Sequence, residues 1–463
     1  MLKLTMKRRQ LIATLSLITL STSVLAGGLT TNTNYHIAFD RMMARGATFE
    51  IDAIYSNPAG LAFTEEGFTL SFNYQNPHQD RDITATFPLF TESADKTRKF
   101  AGKATAPFVP GLFAAYRKDK FAAGIMVGIV GSGGYVKYDE GLPMFTAPVT
   151  ALLNSNLAQN PQLAAMGINV LNAGSLYSID TELKGKQYVY GIQAVGAYQI
   201  TDNFSAGLGI RYNIYDGFVR GHVVATMTSN KAELVNMQVD CDQKGGGWTP
   251  QISLDYRFEK LTLSARYEFN TKIETENETH KLSVGPETAA ASMQKTGSAS
   301  MLAAYADGAK TRQDLPALFS FAVGYEFLPN LRAMAEFHHF DDTHASMPGD
   351  RQEKLDRGTI EYLAGIEWDI NKVFTVSTGG QRTDYGLTDD FQQNTSFACD
   401  SYSLGFGGAV NIGSHLRLNA SYFFTVYSDY TRSSDNYMGT GLPCTETFSR
   451  TNKVFGIGID YHF

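Results

Sequence analysis

Fourteen stretches of this 463-residue chain alternate apolar side chains with polar or small ones at every second position, a repeat that leaves few folds open. They run Phe68–Asn76, Val109–Arg117, Phe121–Val130, Gln187–Gln199, Phe204–Tyr215, Trp248–Phe258, Leu261–Asn270, Ala317–Phe327, Leu331–Phe340, Thr359–Asp369, Val373–Thr383, Tyr402–Ile412, His415–Tyr427 and Lys453–Phe463. In Phe204–Tyr215 the even positions Phe204, Leu208, Ile210, Tyr212 and Ile214 are greasy, while Ser205, Gly207, Gly209, Arg211 and Asn213 lie between them. Crossing a bilayer takes roughly 9–11 tilted residues, whereas soluble strands average about 5–6. The connections alternate as well. Lys118-Asp119-Lys120, Thr201-Asp202-Asn203, Glu259-Lys260, Leu328-Pro329-Asn330, Ile370-Asn371-Lys372 and Gly413-Ser414 are tight turns, and the others are long.

Long strands with one greasy face need a large covering layer or lipid, and the loops hold nothing big enough to cover them. In lipid only closure satisfies every backbone N–H and C=O, so the expected fold is all-β, a fourteen-stranded antiparallel transmembrane barrel with short turns at one rim and long extracellular loops at the other. The chain end fits: Phe455, Ile457, Ile459, Tyr461 and Phe463 alternate and finish on an aromatic, which resembles the assembly signal of outer-membrane barrels. The barrel assembly machinery and outer-membrane lipid are thus expected partners. The chain is expected to be a monomer.

Residues 1–26 read as a signal peptide, with Lys3, Lys7, Arg8 and Arg9, an apolar run Leu11–Leu25, and Val24-Leu25-Ala26 for cleavage. Without those four positive charges the formal net charge falls from -7 to -11, which argues against a nucleic-acid partner. Cys241, Cys399 and Cys444 lie in an exported chain where disulfides are permitted, and their pairing is left open.

Residues 27–67 lack the period-2 repeat and are expected to fold as a plug, or hatch, inside a lumen too wide for side chains to fill; residues 68–463 form the barrel. Within the hatch stands Asn57-Pro58-Ala59-Gly60-Leu61-Ala62. With the strand count, the Pro-Phe-x-Pro lead-in at Pro107 to Pro110 and the Leu315-Pro316 strand opening, it resembles the outer-membrane transporter family for long-chain fatty acids and other hydrophobic compounds, which includes aromatic-hydrocarbon transporters. That resemblance implies passive, diffusion-driven uptake, most of all of long-chain fatty acids: capture at an extracellular groove, passage to an interior pocket, and sideways release through a gap beside a kinked third strand. It places Asn57, Pro58 and Ala59 by that gap. In the third strand Gly128, Gly131, Gly133 and Gly134 permit such a break, since glycine weakens strand pairing.

The Gly131 to Lys186 connection carries helical patterns, with Val149, Leu152, Leu153 and Leu157 on one face, then Asn160-Pro161 starting a second helix with Leu163, Met166, Val170 and Leu171. On an outer rim these apolar faces must pack on another loop, with Met293, Met301, Leu302 and Tyr305 as candidates, or hold a greasy ligand. Arg211, Arg257, Arg266, Arg332, Arg382 and Arg417 fall on the inward phase, and Arg211 and Arg266 are the choices for a fatty carboxylate. Nothing suggests catalysis, a metal or a cofactor: His338 and His339 point to opposite faces of a strand, and the glycine runs precede no helix. A general porin or a surface adhesin is the alternative function.

Overall fold

The computed structural model describes residues 29, 34–106, 108–131, 134–286 and 304–463; the expected signal peptide and Gly133, Met293, Met301 and Leu302 lie outside them. The described residues form fourteen barrel strands: β1 (Gly67–Thr86), β2 (Thr97–Thr105 and Val109–Lys118), β3 (Phe121–Gly131 and Tyr135–Tyr138), β4 (Tyr177–Gln199), β5 (Phe204–Met227), β6 (Glu233–Phe258), β7 (Leu261–Glu268 and Glu274–Gly285), β8 (Lys310–Arg312 and Leu318–Leu328), β9 (Leu331–Phe340), β10 (Ile360–Asp369), β11 (Phe374–Asp384), β12 (Ser401–Ile412), β13 (Leu416–Tyr427) and β14 (Cys444–His462). Each pairs antiparallel with its neighbours, and β14 closes on β1 with Thr69 opposite His462. Every alternating segment of the sequence falls on one of these strands, to within two residues at its ends.

Side-chain alternation decides which face meets lipid. Leu208, Ile210, Tyr212 and Ile214 of β5 are exposed on the outer wall, while Ser205, Arg211 and Asn213 are buried inside. Arg382, read from sequence as inward, is exposed and lies over the exposed Tyr402 ring at 5.5 Å, on the outer wall.

Several stretches expected to be loops are strand. β4, β5 and β6 continue outward past their apolar halves, and there the outward positions turn from greasy to charged: Arg220 pairs with Asp240 at 2.8 Å and with Asp242 at 2.9 Å, and Lys244 with Glu278 at 3.0 Å. Backbone ladders persist in water once cross-strand charges replace lipid contacts, and this leaves no hydrophobic period to read. A further short strand, Tyr430–Ser434, pairs on the outer end of β14. The long loops lock together: Met144 N donates to Asn394 Oδ1 at 2.8 Å, and Asn394 and Tyr437 both donate to Glu446 at 2.6 Å.

Residues 34–66 occupy the bore. The segment holds two short helices, α1 (Ile37–Arg41) and α2 (Ala53–Ser56), and a 3₁₀ turn, Pro58–Phe63. Its bonds reach strands all around the wall: Ile37 N donates to Asn73 of β1 at 3.0 Å, Ala59 N to Ser253 of β6 at 2.9 Å, Arg45 N to Glu336 of β9 at 2.9 Å and Arg41 to Ser377 of β11 at 2.7 Å, while His36 meets Asp460 of β14 at 2.9 Å. Only a segment inside a closed barrel can touch strands on every side of it. The wall admits it because inward glycines let backbones approach. A Cβ on Gly207 would stand 2.6 Å from the Ala59 nitrogen.

Candidate transport path

Asn57-Pro58-Ala59 seats the hatch on β5 and β6. Pro58 opens the 3₁₀ turn, where its missing N–H costs nothing. Asn57 Nδ2 donates to Asp255 Oδ2 at 2.7 Å, and the Ser205 hydroxyl donates to the Ala59 carbonyl at 2.8 Å. The 3₁₀ turn that this run opens also faces β3, where a Cβ on Gly124 would lie 3.3 Å from Leu61.

The β2–β3 ladder is interrupted. Its last inner rung is Gly111 opposite Gly128, and rungs resume only at Thr105 opposite Tyr135; between them the described residues carry none. Gly131 pairs with Val189 of β4 just past an irregularity in the register at Val130. The break is two-sided, since β2 is divided at the same level as β3. The hatch residue against it is Tyr35: a Cβ on Gly111 would lie 2.5 Å from its carbonyl oxygen and one on Gly128 would lie 3.4 Å from its ring. On the outer side Phe108 is exposed, its ring 5.4 Å from that of Tyr74.

Above the hatch lies a narrow cleft lined by Val189, Tyr215, Leu315, Met347, Phe397 and Ala398 together with Arg351 and Arg450. Val189, Tyr215 and Leu315 belong to one buried apolar cluster with Ala106, Ile129, Val130 and Tyr35, so a packed apolar layer joins the cleft to the inner edge of the ladder break. The periplasmic side differs. Its recess is lined by Glu50, Glu65, Lys372, Arg417 and Asp460 among others, a charged mouth.

Arg211 and Arg266, chosen from sequence for a carboxylate, are already engaged. Arg211 donates to Glu268 at 2.6 Å and to Gln193 at 3.1 Å; Arg266 donates to Glu268 at 3.0 Å and to the Tyr55 carbonyl. They brace the hatch. Arg332 and Arg417 are likewise paired, with Glu367 and Asp369, and with Glu50. The basic residues by the cavity are different ones. Arg81 and Arg450 stand on parts of β1 and β14 outside the alternating segments, and Arg351 is in the β9–β10 loop, where no periodicity points inward.

On the outer rim two helices form, α3 (Pro143–Ala158) and then α4 (Pro161–Ala165), with the Asn160 side chain accepting from Gln162 N at 2.9 Å and Leu163 N at 3.3 Å; of the residues expected on the second helix only Leu163 lies within it. Val149 and Leu153 are buried against Tyr177, Val223 and Val235, and Leu157 packs on that cluster partly covered. Leu152 and Leu163 are half-buried, while Met166, Val170 and Leu171 are exposed. Val170 and Leu171 are not in α4. Gly167, at φ +84°, ends it, with Ile168 N bonding back to Leu163 O at 3.1 Å, a left-handed stop that a periodicity count does not see. From the facing loop, Tyr305 is buried in a cluster with Leu142 and Met144. Cys241, Cys399 and Cys444 share that cluster as free thiols.

No family model and no curated protein matches the chain. Among solved structures it is similar to a FadL homologue from Pseudomonas aeruginosa, at 16% identity over 94% of this chain and 100% of that one, with a TM-score of 0.64. It is also similar to the Ralstonia pickettii toluene transporter TbuX, at 14% identity over 89% of this chain and 94% of that one, TM-score 0.52. The Pseudomonas putida toluene transporter TodX aligns at 12% identity over 96% of this chain and 100% of that one, also with a TM-score of 0.52. The chain has the fold of these FadL-type outer-membrane transporters.

Proposed function

We propose that the protein is an outer-membrane channel for diffusion-driven uptake of hydrophobic small molecules, fatty acids or aromatic hydrocarbons, which enter at the outer helices, rest in the cavity and leave sideways between β2 and β3. The observation that carries this reading is the packed apolar layer joining the cleft to a two-sided ladder break. An axial route would require the hatch to leave, breaking buried pairs such as Arg41–Glu367 and Arg45–Asp52. Parting one such pair costs about 3–5 kcal/mol. It would also deliver a greasy cargo into a charged mouth. Burying a methylene is worth about 0.8 kcal/mol, so an acyl chain or an aromatic ring finds binding energy without an energy source. The test is uptake of labelled oleate and toluene into cells with and without the protein. Faster entry of either supports the channel, and equal rates for both remove it.

A further inference from the structure

The outer wall carries a row of like charges. Lys103 stands directly opposite Lys137 in the ladder between β2 and β3, Lys137 opposite Lys184 of β4, and Lys184 opposite Arg220 of β5. Their neighbours Ala104, Val136, Leu183 and Val219 are buried, so strand alternation turns all four cations outward. Like charges on facing positions weaken a sheet, and here three successive rungs carry them. Acids nearby relieve part of the row: Glu182 pairs with Lys137 at 3.1 Å and with Lys184 at 2.5 Å, Asp139 pairs with Lys137, and Arg220 pairs with Asp240 at 2.8 Å and with Asp242 at 2.9 Å. Exposed pairs of this kind are weak and exchange readily. Lys103 is exposed and makes no ion pair among the described residues.

Two residues nearer the membrane, Tyr135 and Phe218 occupy the same face with rings 6.2 Å apart, and the Arg220 guanidinium lies over Phe218 at 4.2 Å. Aromatics so placed mark the interface of an outer-membrane barrel. Below them the wall turns greasy, with Leu112, Ile125, Tyr190 and Ile192 exposed. A free phosphate would use only the cations, whereas a lipid with an anionic head uses cations, aromatics and greasy wall together. Three strand spacings of about 4.8 Å spread the row over about 14 Å, wider than one phosphate group bridges. We propose that Lys103, Lys137, Lys184 and Arg220 form a binding site for a glycolipid of the outer leaflet that carries two phosphates, a lipid of the lipid A type. The site rests on the barrel in its membrane and is independent of the uptake reading.

The full chain is purified in detergent, with its folded barrel confirmed by gel mobility with and without heating. It is titrated with bisphosphorylated lipid A, the same lipid stripped of both phosphates, phosphatidylethanolamine and inorganic phosphate, and bound lipid is read by native mass spectrometry. Wild type holds lipid A about 10- to 30-fold more tightly than the stripped lipid, and Lys137→Gln with Lys184→Gln loses most of that ratio, the worth of two cations at an anionic membrane surface. The paired Lys→Arg variant at the same two positions retains it. Lys244→Gln, which removes an outer-wall cation away from the row, leaves it unchanged. Equal retention of lipid A by wild type and the double Gln variant overturns the site, as does equal binding of lipid A and its stripped form. Phosphatidylethanolamine held as tightly as lipid A overturns the two-phosphate assignment, and inorganic phosphate that displaces lipid A at equal concentration overturns the choice of a lipid. Each of these results is obtained without oleate or toluene, so the site and the uptake reading fail separately.

Discussion

At the scale of single residues, two of the contacts that hold the hatch against β5 and β6 fail in different ways. Asn57→Ala withdraws a donor from the buried Asp255 carboxylate, which costs about 3 kcal/mol because the acceptor stays behind. Gly207→Ala places a methyl against the Ala59 backbone, which has no room to yield, whereas the Cβ of Gly196→Ala meets nothing within 4 Å. Limited proteolysis of the hatch in the folded barrel distinguishes them: Asn57→Ala and Gly207→Ala become cleavable, and Gly196→Ala does not. Cleavage of all three alike would mean that the seat is not where these contacts place it. Asp342, in the β9–β10 loop, gives a pH signature. Burial pushes its carboxyl up to about 6, although Thr359 N donates to it at 2.9 Å. A raised acid stabilises the folded loop fully below the unfolded value near 4, and loses that stabilisation as pH rises through 6, in all about 3 kcal/mol. Amide protection across residues 341–359 should therefore fall between pH 4 and 7 in the wild type and stay level in Asp342→Asn.

At the scale of elements, the sequence could be read wherever one face of a strand meets hydrocarbon. Phe204 to Ile214 declare their inside and outside by size and polarity alone, and Arg211 is inward as that phase requires. Past the membrane, around Arg220 and Asp240, both faces are polar and the same backbone ladder leaves no trace in hydropathy. Arg211 and Arg266 stood out because they lie in legible strand halves, yet their partner Glu268 is legible there too; Arg81, Arg351 and Arg450 meet only through tertiary closure of segments far apart in the chain. The β2–β3 break was half visible, through the glycines of β3 but not through the matching division of β2. That break gives the prediction for this scale. Ala106 is fully buried in the apolar layer between cavity and break. Ala106→Trp fills that layer at an overpacking cost of about 1–3 kcal/mol, which a fourteen-stranded barrel survives. Uptake of hydrophobic probe should drop to the rate of cells lacking the protein, with heat-modified gel mobility unchanged. Undiminished uptake would show that cargo leaves elsewhere.

At the scale of the whole molecule, the question is whether water can follow the cargo. Fourteen strands enclose more space than inward side chains fill, so an unplugged barrel of this size is an aqueous pore. Here the hatch is bonded to strands around the circumference, and its charges are spent inside: Arg45 on Asp52 at 2.8 Å, His36 on Asp460 at 2.9 Å, Arg41 on Glu367. Those pairs give the bore a fixed polar filling, while the proposed route turns aside through the wall above them. On that route selectivity for hydrophobes follows from geometry, because an ion on the axis meets the plug and an ion at the side exit meets lipid. In planar bilayers the wild-type protein should show no large steady conductance, and deletion of residues 34–63 should produce it. The deletion must also abolish the preference for hydrophobic probes, since Tyr35 and Tyr55 leave the cluster that lines their path. A wild type that conducts like the deletion variant would mark the molecule as a general porin, and the side exit would lose its purpose.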